Sequence, residues 1–341
     1  MAINFKKQRP TIQTVAEDAG VSRSAVSKVL CNAYGVSPEL RARVMASIER
    51  LDYRPQTSAR AMRGRAYTLG VLASEIHNPF FADVFVGISR GLANTAYHPL
   101  LGVSQSSDAN ESSLVEAMLD HQVDGLIWIA PRVQNKILQA TARRVPTVVV
   151  AYHEPNAKSF DTANVDDEKG ARLAIEHLHA VGLKRISMVS VTWPNIAGAV
   201  PHLRERGYLR AMTDHKLESY ISVVHSEESA VDVGALTENI LSQTERPEAL
   251  FCWNDFAALE VLSEAKRIGL EVPGELAIVG FDNTAFCRLE QNSLTSIDQS
   301  AELLGENAAR MLIERIEGRT ESQHVLLEPQ LKIRRSSSRL G

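Results

Sequence analysis

The sequence predicts an α/β protein: a small N-terminal three-helix domain followed by two doubly wound parallel α/β subdomains. Two patterns predict this architecture. Up to about residue 66 the apolar residues recur with helical spacing, whereas from residue 67 short apolar strands alternate with helical stretches. The length of 341 residues agrees, because single cores stop growing at roughly 250 to 300 residues.

Three amphipathic helices are predicted in the N-terminal domain. Thr11 is a favourable N-cap for the first, and Gly20 supplies the left-handed conformation that ends it. Ser22 caps the second helix, and Ser37 with Pro38 begins the third. The buried stripes are Ile12, Val15, Ala16 and Ala19; Val26, Val29 and Leu30; and Leu40, Val44, Ile48 and Leu51. This pattern is typical of a helix-turn-helix domain, whose second helix reads DNA.

The net charge of -4 is unevenly distributed. Residues 1–65 contain twelve Lys and Arg against five Asp and Glu, a net charge of +7, whereas the rest of the chain carries -11. Because salt screens charges beyond about 8 Å, the acidic body does not prevent the basic region from approaching phosphates. The distribution favours a nucleic-acid-binding head, with a merely solvated basic face as the alternative.

The segment that follows the three helices is rich in arginine. It reads "LDYRPQTSARAMRGR", residues 51–65, and its predicted helix beginning at Pro55 has only Ala59, Ala61 and Met62 as apolar residues. So little apolar surface cannot stabilise an isolated helix. We therefore expect a helix here to form only against a partner or DNA.

Eight apolar segments predict the strands of the acidic body. They are "TLGVLAS", "HPLLGVS", "VDGLIWIA", "VPTVVVAY", "RISMVSV", "YISVVHS", "ALFCW" and "ELAIVGF". With helices between them, they predict two parallel sheets, each covered on both faces. A polar loop, "NAKSFDTANVDDEKGARLAIEHL", is expected to separate the two halves.

Candidate ligand-binding residues follow these strands, where open parallel sheets bind their ligands. An arginine with carboxylate and amide groups can bind vicinal hydroxyls, and aromatic rings can stack on the apolar face of a sugar ring. The residues in these positions are Ser74, Phe80, Phe81, Arg204, Trp253, Asn254, Asp255 and Asp282. Taken singly, each has a structural alternative as a helix cap, a surface ion pair or a core residue.

Other classes of protein lack support in the sequence. The three cysteines, Cys31, Cys252 and Cys287, have no metal-ligand spacing, and "HLH" at 177–179 places its histidines on different helix faces. No nucleophile elbow, P-loop or dinucleotide-binding motif occurs, so no enzyme is predicted and no cofactor or metal is expected. Without a signal peptide or an apolar run of about 18 residues, a cytoplasmic protein with no membrane partner is expected.

Three stretches, "PTIQTVAEDAGVSRSAVSKVL", "GVSPELRARV" and "LDYRPQTSARAMRGR", resemble the head and hinge of the LacI/GalR family of bacterial transcription regulators. The resemblance implies that the second helix enters the major groove and that paired hinge helices open the minor groove. It assigns base reading to Arg23, Ser24 and Lys28. Phosphate or further DNA contacts are implied for Thr11, Ser22, Ser27, Asn32 and Tyr34, and minor-groove insertion for Ala59 and Met62. Met62, Gln56 and Cys31 depart from the residues usual in the family.

The resemblance extends to the body, which is similar to periplasmic sugar-binding proteins whose chain crosses three times between subdomains. Ser74, Phe80, Phe81, Arg204, Asn254, Asp282 and Gln299 match effector-contacting positions. Ile129 and Ala151 stand where sugar-binding members often carry polar groups, with Trp128 or Trp193 as further candidates. The predicted parts are a head (10–54), a hinge helix (55–66), an N-subdomain (67–163 and 293–320), a C-subdomain (164–292 and 321–335) and a tail (336–341).

The function implied is that of a sequence-specific transcriptional regulator, a repressor. It would bind a palindromic double-stranded DNA operator as a homodimer, with a tetramer as the alternative. A small-molecule effector, a sugar or a related polar metabolite, would bind between the subdomains. The rival hypothesis is a solute-binding or sensor protein without DNA activity, which the basic head and the missing signal peptide disfavour.

Overall fold

The computed structural model describes residues 10–30, 33–53, 65–194, 196, 198–227, 230–243 and 245–338. The chain divides into two compact units, Met1–Ala66 and Tyr67–Gly341. The predicted hinge helix falls almost wholly on residues outside the described ranges. Residues 65 and 66, its described end, have no regular secondary structure.

The first unit contains three helices, as the apolar spacing predicts. They are α1 (Ile12–Asp18), α2 (Arg23–Leu30) and α3 (Pro38–Arg50). The predicted caps are confirmed: Thr11 Oγ1 accepts a hydrogen bond from the backbone N–H of Thr14, and Ser37 Oγ accepts one from that of Leu40, both at 3.2 Å. Gly20 has a φ of +62°. The predicted stripes form one core around the fully buried Val15, Val26 and Val44.

The described part of the second unit contains twelve strands and eight helices. The strands are β1 (Thr68–Ala73), β2 (His98–Val103), β3 (Gly125–Ile129), β4 (Thr147–Val150), β5 (Asp161–Val165), β6 (Ile186–Val191), β7 (Val223–Ser226), β8 (Ala249–Cys252), β9 (Ala277–Asp282), β10 (Thr295–Asp298), β11 (His324–Leu327) and β12 (Gln330–Lys332). The helices are α4 (Pro79–Leu92), α5 (Asp108–Asp120), α6 (Asn135–Ala142), α7 (Asp167–Ala180), α8 (Val200–Asp214), α9 (Ala230–Leu241), α10 (Asp255–Arg267) and α11 (Ala301–Ile316).

The strands form two six-stranded sheets, each covered on both faces. The orders are β11-β5-β4-β3-β1-β2 and β12-β10-β9-β8-β6-β7, and every pairing is parallel except the antiparallel edge pair β10–β12. In the first sheet, Val71 and Ile127 pack under α4 and α11, whereas Leu72 packs in the separate core under α5 and α6. This alternation produces the predicted doubly wound arrangement.

Four strands were not predicted, and they move the boundaries between the two halves. β5 lies inside the expected polar loop, because its polar side chains are buried and hydrogen-bonded rather than solvated. β10 pairs with β9 of the second sheet, although 293–320 was assigned to the first half. β11 pairs with β5 of the first sheet, although 321–335 was assigned to the second.

The chain therefore crosses between the halves after β5, after β10 and after β11. The two later crossings lie near residues 299 and 328, rather than at residues 293 and 320, where the predicted subdomains meet. The predicted tail is also partly structural. Ser336 and Ser337 are buried, and Ser336 Oγ donates to the carbonyl oxygen of Ile278 on β9 at 2.6 Å.

Among the described residues, none of the helices is both long and apolar enough to cross a membrane.

Candidate functional site

The eight predicted effector residues line one cleft between the two α/β halves. They are Ser74, Phe80, Phe81, Arg204, Trp253, Asn254, Asp282 and Gln299. The cleft has a volume of about 960 Å³, counting the space open to solvent. It lies at the carboxyl ends of the parallel strands of both sheets, which is where open α/β sheets bind their ligands.

Arg204 is a tightly constrained side chain of the cleft. Its Nε atom donates to Oδ1 of Asp167 at 2.8 Å, and its Nη1 atom donates to the carbonyl oxygen of Trp253. The Cζ atom lies 3.6 Å from the centroid of the Phe281 ring. Since the residue is only 3% exposed, these contacts fix the guanidinium in one orientation before any ligand binds.

Asp282 lies beside this guanidinium, with Oδ1 3.7 Å from Nη1 of Arg204. It also accepts hydrogen bonds from Asn78 Nδ2 at 3.3 Å and from Gln299 Nε2 at 2.5 Å. Burial raises the pKa of Asp282 well above its usual range, the positive charge of Arg204 opposes this, and nearby Asp255 adds to it. The Asp282 carboxyl group therefore contacts one residue from each half and one residue from a segment that crosses between the halves.

Asn254 and Asp255 have structural roles at the start of α10. Asn254 Oδ1 accepts from the backbone N–H of Ala257 at 2.8 Å, as a helix N-cap. Asp255 is buried and accepts from the Thr284 N–H at 2.7 Å, and from Ser296 Oγ at 2.5 Å. Asn254 also lines the cleft, whereas Asp255 organises the loop behind it.

The aromatic wall of the cleft begins at α4. Asn78 caps this helix, Pro79 occupies its first turn, and Phe80 and Phe81 follow with their rings 5.5 Å apart at 71°. Across the cleft, the rings of Trp193 and Trp253 lie 6.4 Å apart. Of the two further tryptophan candidates, Trp193 lines the cleft. Trp128 is buried in the core on the other face of the first sheet, and Ile129 is buried under α4.

Sequence reasoning missed five polar residues of the cleft: Glu75, Asn78, Ser106, Ser226 and Glu227. All but Asn78 end or follow a predicted strand, so the same positional rule would have found them. Four cleft residues that are not glycine have positive φ: Ser106 (55°), Ala130 (49°), Ala151 (56°) and Asp282 (123°). Such backbone costs about 1–3 kcal/mol per residue and often accompanies binding sites.

One edge of the cleft carries a backbone connection between the halves. Tyr152, just after β4, forms an isolated antiparallel bridge with Ala199, and the N–H of His153 donates to the carbonyl oxygen of Gly198 at 3.0 Å. Gly198 has a φ of +84°, and a Cβ atom there would lie 2.0 Å from the carbonyl oxygen of His153. Only glycine allows this approach.

His153 also contacts the partner of Arg204. Its Nε2 atom lies 2.8 Å from Oδ2 of Asp167, so both carboxylate oxygens of Asp167 are engaged. Burial alone would raise the pKa of Asp167, but the charge of Arg204 and the hydrogen bond from His153 hold it below its usual value. Sequence reasoning missed both residues, since neither lines the cleft.

The predicted DNA-reading residues lie on the exposed side of the first unit. Thr11, Ser22, Arg23, Ser24, Lys28 and Tyr34 are exposed, and Ser27 is half-buried. Val26 and Val29, on the opposite side of α2, are buried. Ser22 Oγ also accepts from the Ala25 N–H at 3.2 Å. Asn32, Ala59 and Met62 lie outside the described residues.

Within the described ranges, no group of three His, Cys, Asp or Glu side chains is placed to hold a metal ion. Cys252 and Cys287 are buried free thiols. Burial raises the pKa of both thiols, which keeps them protonated and unreactive.

Both regions of the chain match known families. Residues 11–56 match the family described as bacterial regulatory proteins, lacI family, and residues 175–337 match the periplasmic binding protein-like domain. Catabolite control protein A of Priestia megaterium is 32% identical over 331 residues, which cover 96% of this chain and 99% of that protein. The transcriptional repressor PurR of Klebsiella pneumoniae (strain 342) is 30% identical over 335 residues, 96% of each chain.

Solved structures share the fold. The complex of the transcriptional regulator CelR with cellobiose has a TM-score of 0.70 and 26% identity, covering 96% of this chain and 100% of that one. The Lac repressor dimer bound to operator and the anti-inducer ONPF has a TM-score of 0.81, covering 97% and 99%; at 24% identity it shows the fold alone. These relatives are transcription regulators and not enzymes. The chain is a DNA-binding transcription regulator that belongs to the lacI family of bacterial regulatory proteins.

Proposed function

We propose that the chain is a transcriptional repressor that binds a palindromic operator as a homodimer and responds to a small polar metabolite in the cleft. One observation carries the proposal: the eight candidate effector residues, scattered from 74 to 299, line a single cleft in a chain whose head exposes a polar helix face. The function requires both a reading head and a ligand cleft, and it places the protein in the cytoplasm with its DNA.

For the head, we infer that α2 lies in the major groove. Arg23 is positioned to form a bidentate pair with a guanine, which is worth roughly 1–3 kcal/mol of discrimination. Lys28 supplies positive charge near bases and phosphates, and Met62 of the hinge inserts into the minor groove. Arg23→Ala should relax base preference, whereas Ser27→Ala, at a half-buried phosphate-contact position, should weaken all complexes similarly.

The chemistry of the cleft favours an uncharged polyol. Glu75 and Glu227 outnumber the arginine of the cleft even though burial favours the protonated form of Asp282, so a phosphorylated ligand meets more negative than positive charge. Aromatic rings on both walls suit stacking on a sugar or a flat heterocycle. The relative bound to cellobiose supports the same class. The effector is therefore proposed to be a neutral sugar or a similarly polar uncharged metabolite.

Dimer formation has support from exposed apolar side chains of the second unit. Leu100 and Leu101 lie on the edge strand β2 and are 40% and 42% exposed, and Val86 on α4 is 45% exposed. Exposed apolar side chains on an edge strand favour association with another chain. Sedimentation equilibrium of the full chain tests the proposal. Leu101→Asp should shift the measured mass from that of a dimer to that of a monomer. Ile268→Asp, which replaces an exposed apolar side chain in the half with the second sheet, should leave the mass unchanged.

The test of the whole function combines two measurements on the full chain. A thermal-shift screen covers cellobiose, ribose, other neutral sugars, polyols, nucleobases and sugar phosphates; a binder raises Tm by mass action. Gel-shift assays then use DNA from the chain's own promoter region with and without the hit. We expect a specific complex whose affinity changes with ligand, and reciprocity requires DNA to change ligand affinity equally. A chain that forms no specific complex in either condition is not the proposed regulator.

The effector site has its own control. Gln299→Leu should abolish the thermal shift, because it removes the amide that holds Asp282 at the cleft. Ser107→Ala, a substitution at a half-buried cap of α5 outside the cleft, should keep it. A shift that survives Gln299→Leu would place the ligand elsewhere.

A further inference from the structure

His153 and Asp167 come from opposite halves of the cleft-bearing unit. His153 lies between β4 and β5, which are both strands of the first sheet. Asp167 is the first residue of α7, whose apolar face packs against the second sheet. Their contact, 2.8 Å from Nε2 to Oδ2, therefore connects the two halves through side chains.

The position of His153 is set by its backbone. Its N–H donates to the carbonyl oxygen of Gly198, and the preceding Tyr152 bridges Ala199. A glycine at 198 is needed for this close approach. The imidazole consequently has little freedom to move independently of the end of β4 and the segment just before α8, which hold it, and its side chain is only 20% exposed.

Asp167 connects His153 to Arg204, which lines the cleft. Its two oxygens are shared between the two contacts: Oδ1 accepts from Arg204 Nε at 2.8 Å, and Oδ2 faces His153. The side chains of Asp167 and Arg204 are 2% and 4% exposed, so water cannot readily replace a lost partner. The carboxylate group is planar and rigid, so a hydrogen bond to Oδ2 limits its rotation. This fixes the position of Oδ1 and thereby orients the guanidinium that donates to it.

We propose that His153 is a positioning residue for the effector cleft: through Asp167 it orients the guanidinium of Arg204 and makes that orientation depend on the relative position of the two halves. The role of Arg204 in ligand binding rests on the proposed function, but its orientation by His153 does not. A ligand that contacts Arg204 and moves the two halves relative to each other would change both the contact of His153 with Asp167 and the contact of Asp167 with Arg204.

The test is an NMR measurement on the full-length chain without ligand. The Nε–H resonance of Arg204 is identified as the signal that disappears in Arg204→Lys. In the wild type it should exchange slowly with solvent, because Nε–H is buried and bonded to Asp167. His153→Ala should shift it and accelerate its exchange by about tenfold or more, since Asp167 loses one of its two partners.

Conservative and matched variants separate orientation from general damage. His153→Gln places an amide N–H near the position of Nε2 and should restore the wild-type signal, whereas the shorter His153→Asn should not. His225→Ala is the matched control: it removes a second histidine–carboxylate contact, 2.9 Å to Glu205 Oε1, next to Arg204 on the same helix. Because Glu205 directly follows Arg204 on α8, the two side chains lie on different faces of the helix, and the Arg204 signal should remain unchanged.

The proposal is overturned if His153→Ala leaves the Arg204 resonance and its exchange rate as in the wild type, or if His153→Gln fails to restore them. Should His153→Ala not fold, the comparison of His153→Gln with His153→Asn decides in the same way. A negative thermal-shift screen together with a positive NMR result would contradict the effector site alone, and the reverse pattern would contradict the positioning role alone.

Discussion

Arg204 and Asp167 form an ion pair that is almost completely removed from solvent, with Nε 2.8 Å from Oδ1 and side chains 4% and 2% exposed. Desolvation makes such a pair costly to form, but removing one partner is worse because an uncompensated charge remains buried. The pair therefore stabilises the fold and also holds Arg204 in place at the cleft. Loss of ligand binding in an Arg204 variant would accordingly need a stability control.

Asp167→Asn should destabilise the second unit by about 3 kcal/mol, because Arg204 keeps its charge but loses its strongest partner. Urea unfolding of the full chain measures this loss. Glu168→Gln is the neighbouring control. Glu168 pairs with Arg206 and Arg210 at the surface, where such pairs contribute less than about 1 kcal/mol. Equal losses in the two variants would contradict the distinction.

Glu111 should make stability fall as pH rises. Burial raises its pKa from 4.5 to about 7, partly opposed by hydrogen bonds from the Arg132 N–H. The folded chain thus retains a proton up to about pH 7 that the unfolded chain loses near 4.5. The stabilising contribution of protonated Glu111 is therefore complete below pH 4.5 and is lost as the pH rises through 7. Glu111→Gln should remove this slope.

The expected size of that slope is on the order of 3 kcal/mol between pH 4.5 and 7. It is measured as the free energy of unfolding in urea at pH 5 and pH 8, for wild type and Glu111→Gln. Glu116→Gln, on the exposed side of the same helix, should leave the slope of the wild type unchanged over this range. An identical slope in wild type and Glu111→Gln would show that Glu111 is ionised in the folded protein.

Two glycines in helices should respond oppositely to alanine. A Cβ atom at Gly87 of α4 would lie 1.9 Å from the carbonyl oxygen of Glu302, so Gly87→Ala should cost about 3 kcal/mol by forcing α4 and α11 apart. A Cβ at Gly234 of α9 meets nothing within 4 Å. Gly234→Ala should therefore stabilise by about 0.5–1 kcal/mol. Thermal unfolding of both variants checks the opposite signs.

In the head, Ser47→Ala should loosen the contact between α1 and α3. Ser47 is fully buried, and its hydroxyl lies 2.6 Å from Oδ2 of Asp18 and 3.3 Å from the carbonyl oxygen of Val15. Its loss removes a hydrogen bond from α3 to a charged carboxylate of α1, which is worth about 1–3 kcal/mol. Amide hydrogen exchange in α1 should accelerate accordingly, whereas Met45→Ala, at a side chain 51% exposed, should not change it. Unchanged exchange in Ser47→Ala would contradict the assignment.

The helices of the head could be predicted from the sequence because their ends depend on local interactions. Thr11, Gly20 and Ser37 act as caps and a stop through contacts within a few residues, so their roles do not depend on the rest of the fold. The eight predicted apolar strands were equally clear. Six of them are buried on both faces and are therefore mainly apolar, and the edge strands β2 and β7 are mainly apolar although partly exposed. Strands β5 and β10 were missed because their polar side chains look like those of a loop until distant partners are known.

The sequence by itself determined the class of the fold, the position of helix α2 and, through the rule that ligands bind at strand ends together with the family resemblance, eight residues of the cleft. The tertiary structure alone decided which residues support that cleft and how the halves are joined. Asp161 on β5 is buried because Arg315 and Arg319, more than 150 positions later, pair with it. His153 meets Asp167 only because two halves of the chain come together there. Contacts of this kind depend on side chains brought together by folding, and no local pattern in the sequence encodes them.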